Sequence, residues 1–183
     1  MSGLVVNSGG SFGVFSGGTV VQAVENGGFA YVEEEGATVT FLPNSFSGLV
    51  LNETAPVNSG TTATDTTIDS GGALWAYSDG IMSGVTVNPG GKLFISGANV
   101  QEVKENGGFV YFLESEGSVV TVVPNAFSGL VLEGTSATVH SGTTATDITL
   151  DSNGQIIILS GGILNGATVN IHGGACVFDK GYA

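Results

Sequence analysis

Two strings of this chain occur twice. Ser59–Gly72 reads SGTTATDTTIDSGG, and Ser141–Gly154 reads SGTTATDITLDSNG. ENGGFAY at Glu25–Tyr31 returns as ENGGFVY at Glu105–Tyr111, and PNSFSGLVL at Pro43–Leu51 returns as PNAFSGLVL at Pro124–Leu132. The offsets are 80, 81 and 82 residues, so single residues enter at two places between blocks. Copies of one segment demand equivalent environments, and a stacked, quasi-one-dimensional architecture supplies them.

A shorter period lies inside the long one. Glycine turns recur at Gly9-Gly10, Gly27-Gly28, Gly71-Gly72, Gly90-Gly91, Gly107-Gly108, Asn153-Gly154 and Gly173-Gly174. Before several of them stands a hydrophobic residue followed by Asn or Asp: Val6-Asn7, Ile68-Asp69, Val87-Asn88 and Leu150-Asp151. Val169-Asn170 fits if one residue is inserted before its glycines. Adjacent turns are about 17 to 20 residues apart, a length suited to one solenoid unit. Segments such as Leu93–Ile95, Phe109–Leu113 and Ile156–Leu159 are β-branched and aromatic, and no stretch shows a capped helical period. Glycine is 31 of 183 residues, which suits frequent corners with positive φ. The expectation is an all-β chain: a right-handed parallel β-helix of about nine rungs, built from two 80-residue super-repeats. Rungs about 4.8 Å apart give a rod about 40 Å long. Residues 1–183 form one solenoid domain. Gly3–Gly18 aligns with Gly84–Gly97 and Gly166–Gly181, which suggests a piece of a longer array. Pro43–Ser59 and Pro124–Ser141 depart from the pattern and read as longer corner loops.

Charge narrows the function. The net charge is −13, arginine is absent, and the three lysines are Lys92, Lys104 and Lys180. Neutralising nucleic-acid phosphates needs cations, so that class is excluded. No apolar run approaches a membrane helix, and no basic, apolar leader opens the chain. The single cysteine, Cys176, forms no intrachain disulfide and reads as a small buried hydrophobe.

The strings SGTTATDTTIDSGGALWAYSDG and SGVTVNPGGKLFISG resemble the AIDA-type repeat of bacterial autotransporter adhesins. The match covers about seven of nine rungs and is specific only when its whole spacing is read together. The resemblance implies a right-handed parallel β-helix, secreted or at the cell surface, serving adhesion or self-association. It also implies sugar acceptors among repeat hydroxyls: Thr62, Thr64, Thr66, Thr144 and Thr146.

Alternation after each glycine turn separates two faces. Phe12, Val14, Ala30, Val32, Leu74, Ala76, Leu93, Ile95, Val110, Phe112, Ile156, Ile158, Cys176 and Phe178 share the apolar parity and are assigned to the core. The opposite parity carries charges, yet also Phe15, Phe29, Tyr31, Trp75, Tyr77, Phe94, Phe109, Tyr111, Leu113, Ile157 and Leu159. Stacked, these make an outward apolar strip larger than a monomer normally exposes. The strip either braces neighbouring rungs or meets a partner: another copy, a cell-surface protein or a glycan.

Catalysis is not expected. Asp65 and Asp147, and Asp69 and Asp151, recur four rungs apart, about 19 Å at about 4.8 Å per rung. Within one copy the two aspartates are about 13 Å apart, so neither spacing makes an acid/base pair. His140 and His172 have no cysteine or carboxylate at metal-ligand spacing and read as exposed or packed in turns. Glu33-Glu34-Glu35 with Glu25, and Glu114 and Glu116 with Glu105, either gather Ca2+ or form a solvated acidic edge, the edge being the simpler reading. No cofactor or metal is assigned.

Overall fold

Most of the glycine turns are built the same way, Gly108 excepted, whose amide donates to the Val87 carbonyl. In the computed structural model, which describes residues 1–33, 36–113 and 117–178, the Gly72 amide donates to the Asp69 carbonyl at 2.9 Å. Gly91 donates to Asn88 and Gly173 to Asn170 in the same manner. The third turn residue has positive φ: Gly71 (87°), Gly90 (80°), Asn153 (70°) and His172 (64°). For Gly71, Gly90 and His172 that is the position where a type II turn requires it, whereas Ser152 before Asn153 is left-handed too (42°), which makes that turn type I′. The Asn/Asp side chains before the glycines serve another purpose. Asn88 Nδ2 donates to Asp69 Oδ1 (2.7 Å), and Asn106 Nδ2 donates to Asn88 Oδ1 (2.8 Å), so they form a ladder across three rungs.

Between turns the chain is strand. The first group is β1 (Val5–Asn7), β2 (Ser11–Val14), β3 (Thr19–Asn26), β4 (Phe29–Val32) and β5 (Thr38–Phe41). The second is β6 (Asn44–Ser47), β7 (Val50–Leu51), β8 (Thr54–Val57), β9 (Thr61–Thr64), β10 (Thr67–Ile68), β11 (Ala73–Ala76), β12 (Ile81–Val87), β13 (Lys92–Ser96), β14 (Asn99–Glu105), β15 (Phe109–Leu113) and β16 (Val119–Val122). The third is β17 (Asn125–Ser128), β18 (Val131–Glu133), β19 (Ser136–Val139), β20 (Thr143–Asp151), β21 (Gln155–Ile158), β22 (Ile163–Val169) and β23 (Gly174–Val177). Every ladder between these strands is parallel, and together they coil into a solenoid of about nine turns.

The register explains the core. Ala55, Leu74, Leu93 and Val110 stack in one inward column, with Val57, Ala76, Ile95 and Phe112 beside it. All but Phe112 are buried, and Phe112 packs against them. Each long strand also bends at one left-handed residue. Gly48, Asp65, Gly84 and Glu102 occupy that position in the second group, and Gly129, Asp147 and Gly166 in the third. The bend resets the alternation: Ala63 points in, Asp65 out, and Thr66 in again.

The strand groups coincide with three separate cores. One gathers around Val14, Val20 and Ala23, the second runs from Phe46 to Val110, and the third from Phe127 to Leu164. Pro43–Ser59 and Pro124–Ser141 are therefore not corner loops. Each holds three short strands (β6–β8 and β17–β19) that found the next block's sheets by pairing forward to β9–β11 and to β20–β21. Among the described residues, β4 shares no ladder with β8, nor β15 with β19, although each pair lies side by side.

The last rung corrects the reading of Cys176 and Phe178. Gly173, not Gly174, closes its turn, and His172 fills the left-handed position that Gly71 and Gly90 hold in their turns. No residue is inserted. Gly174 aligns with Gln155, so Ala175 and Val177 take the inward register and Cys176 stands beside outward Ile157. Cys176 and Phe178 are both exposed. Val32, also assigned to the core, is exposed as well.

Candidate functional site

The outward parity of the second block is aromatic in register. Pro56, Trp75, Phe94 and Tyr111 are successive partners across β8, β11, β13 and β15. The Trp75 and Phe94 rings stack with centroids 4.2 Å apart and planes 17° apart. Tyr77, the residue after β11, continues the stack with its ring 6.4 Å from Trp75. Phe109 bridges Phe94 (5.9 Å) and Tyr111 (6.5 Å). Trp75, Tyr77 and Tyr111 are 37%, 42% and 48% exposed, while Phe94 and Phe109 are half-buried between them. Parallel pairing causes this: side chains at equivalent rung positions stand directly over one another.

The ladder breaks divide the strip into three segments. Phe15, Phe29 and Tyr31 belong to the first block, where Phe15 and Tyr31 are 5.9 Å apart. Ile157 and Leu159 belong to the third and are half-buried. The side chain of Leu113 lies outside the described residues.

The threonine row is shorter than its alternation suggests. Thr62, Thr64, Thr144 and Thr146 are half-buried on the outer side. Thr66 is fully buried, because the left-handed Asp65 turns it into the column of Val85 and Val103. Its hydroxyl faces the Thr64 carbonyl, not solvent.

Two glutamates expected on an acidic edge are instead completely buried. Glu105 ends the core column Leu51–Ile68–Val87–Glu105, at the rung where β15 and β19 part. Its Oε1 accepts from Thr138 Oγ1 (2.8 Å) and lies 2.6 Å from His140 Nδ1. Its Oε2 accepts from the His140 amide (2.9 Å). Glu25 does the same at the first block boundary, accepting from the Asn58 amide (2.9 Å), from Asn58 Nδ2 and from Thr61 Oγ1 (3.0 Å). Each carboxylate thus satisfies a strand edge that has lost its ladder partner, as buried amides require. Burial pushes the Glu25 carboxyl above its usual value, against the pull of the bonds from Asn58 and Thr61. Burial, with the Glu25 charge nearby, also raises the Tyr77 phenol.

His140 is accordingly neither exposed nor merely packed in a turn. It is buried, paired to Glu105 and stacked on Phe112 with ring centroids 5.0 Å apart. His172 is exposed in the last turn. Where β15 and β19 diverge, a cleft of about 870 Å3 opens with His140 in its wall. Alternation along β3 and β14 could have revealed the glutamates, since Ala23 and Val103 point inward and Glu25 and Glu105 follow two residues later. Glu34, Glu35, Glu114 and Glu116 lie outside the described residues, among which no three metal-ligating side chains gather.

No protein-family model and no curated protein matches the chain. Among solved structures it is similar to a TibA fragment (55–350), hyper-glycosylated in a TibC-catalysed reaction. That likeness has 21% identity and a TM-score of 0.35, over 99% of this chain and 82% of the other.

Proposed function

We propose that this chain is a non-catalytic structural and adhesive module, secreted or at the cell surface, that associates with further copies of itself through the aromatic strip. The observation that carries the reading is the Tyr77–Trp75–Phe94–Phe109–Tyr111 stack, whose rims stay exposed on an otherwise acidic rod. Stacked rings offer large apolar area at low entropic cost, and such patches mark interaction sites. The likeness of the repeats to AIDA-type adhesin repeats points the same way. With a net charge of −13, copies repel one another at a distance, so association should strengthen with salt. Size-exclusion chromatography with light scattering tests this on the wild type and on Trp75→Ser with Tyr111→Ser. A strictly monomeric wild type, or an unchanged oligomer in the variant, would count against the interface.

A second reading rests on the same rings. Half-exposed planar faces suit the apolar face of a sugar, which would make the strip a carbohydrate-binding surface. Glycan-array binding lost on replacing Trp75 would favour it over self-association. By the repeat resemblance, Thr62, Thr64, Thr144 and Thr146 are sugar acceptors, readable as added mass on protein from its native host.

A further inference from the structure

The two copies of the super-repeat differ where the cleft opens. Val57-Asn58-Ser59-Gly60 in the first becomes Val139-His140-Ser141-Gly142 in the second. Asn58 caps its buried glutamate with its amide and Nδ2, and His140 caps Glu105 with its amide and Nδ1. Histidine therefore performs all the capping that asparagine does and adds a second ring nitrogen that capping does not use.

That nitrogen has a defined chemistry. An ionised Glu105 only accepts, so the proton of the short Nδ1–Oε1 contact sits on Nδ1; in the neutral ring Nε2 then carries a lone pair. Stacking on Phe112 fixes the ring plane. Nε2 has no protein partner among the described residues, and it is not a sealed, orphaned atom. His140 lines the cleft, whose other walls include Tyr111 and Phe112 on one side and Ile157, Leu159 and Phe178 on the other. Among the described residues, no Asp, Glu, Lys or Arg lines it. Its volume of about 870 Å3 falls within the range of small-molecule sites.

We propose that this cleft binds a small uncharged ligand with a flat apolar ring and one hydroxyl, the ring held between the aromatic and aliphatic walls and the hydroxyl donating to His140 Nε2. A carboxylate ligand would meet the lone pair of Nε2 with Glu105 behind it, and no cation among the described lining residues to pair with. A ligand without a donor would leave the lone pair dry and unsatisfied, at a cost.

Calorimetric titration of the intact chain with 2-naphthol, 2-methoxynaphthalene and 2-naphthoate tests the chemistry, with amide shifts at Val110–Phe112 and Ile157–Ile158 locating the site. We expect 2-naphthol to bind about five- to tenfold more tightly than its methyl ether, the worth of one neutral hydrogen bond, and 2-naphthoate to bind more weakly still. His140→Asn adopts the first copy's own capping residue, and should lose that preference while still binding the ether. Absence of naphthol binding, equal affinity for naphthol and ether, or an unchanged preference in His140→Asn overturns the proposal. Should His140→Asn fail to fold, the three-ligand comparison on the wild type decides alone. The cleft is separate from the strip's centre, so Trp75→Ser should disturb association and leave naphthol binding intact. Loss of naphthol binding in Trp75→Ser would place the ligand on the strip instead and sink the cleft.

Discussion

Replacing Glu105 by alanine removes the acceptor of three donors at once: the His140 amide, His140 Nδ1 and Thr138 Oγ1. Two of these can adapt. The imidazole can move its proton to Nε2, and the Thr138 hydroxyl can rotate. The amide cannot, because β19 is pinned to β21 on its other side. An unsatisfied buried donor costs about 1–3 kcal/mol, and the void left by the side chain adds to it. The sum is about 2–5 kcal/mol, concentrated at the boundary between the second and third cores. Urea unfolding followed by circular dichroism reads the total, and hydrogen exchange at the His140 amide reads the location. Exchange there should accelerate far more than at Leu93, deep in the second core. A loss below about 0.5 kcal/mol, the level of an ordinary surface substitution, together with unchanged exchange at His140, would refute the capping role of Glu105.

The first boundary carries a pH signature. Glu25 binds its proton more tightly in the folded chain than its usual value of 4.5 implies, so its contribution to stability is fullest below that value and is lost as pH rises through the raised one. Wild-type stability minus that of Glu25→Gln should therefore fall on going from acid to neutral pH; a rise would contradict the desolvation argument. Gly154 lies against the preceding rung, and a Cβ there would be driven into the Leu132 carbonyl oxygen. Gly154→Ala should cost about 3 kcal/mol or more, whereas Gly129→Ala, in open space at φ 67°, should cost only the backbone strain of about 1–2 kcal/mol. Thermal melts separate the two. Exposed Cys176 should react with a chromogenic disulfide reagent in the native state, at a rate that denaturant hardly changes; protection until unfolding would restore it to the core.

The sequence carried the architecture because every rung repeats the same local chemistry. Glycine turns, left-handed corners and inward alternation are each decided within about ten residues, and each is copied along the chain. The inner ladders and the outward aromatic parity were legible for the same reason. What escaped was decided by register between rungs. Asp65 looks like one more polar residue in a threonine row, yet its left-handed backbone turns Thr66 inward. His172 looks like an insertion, yet it substitutes for a glycine and sends Cys176 outward. The pairing of Glu105 with His140 spans 35 residues and exists only because the strands part between them. The buried carboxylates look like surface charge until the strand that abandons them is known. The cleft likewise has no local signal beyond the change from Asn58 to His140.

Concentration-dependent footprinting of the aromatic strip tests the proposed interface most directly. Hydroxyl-radical labelling of Trp75, Tyr77 and Tyr111 should fall as the protein is concentrated, while exposed Val50 and Val131, on other faces of the coil, stay equally labelled. Labelling of the three rings that does not change with concentration, or protection spread evenly over all exposed residues, would contradict a contact face on this side of the solenoid.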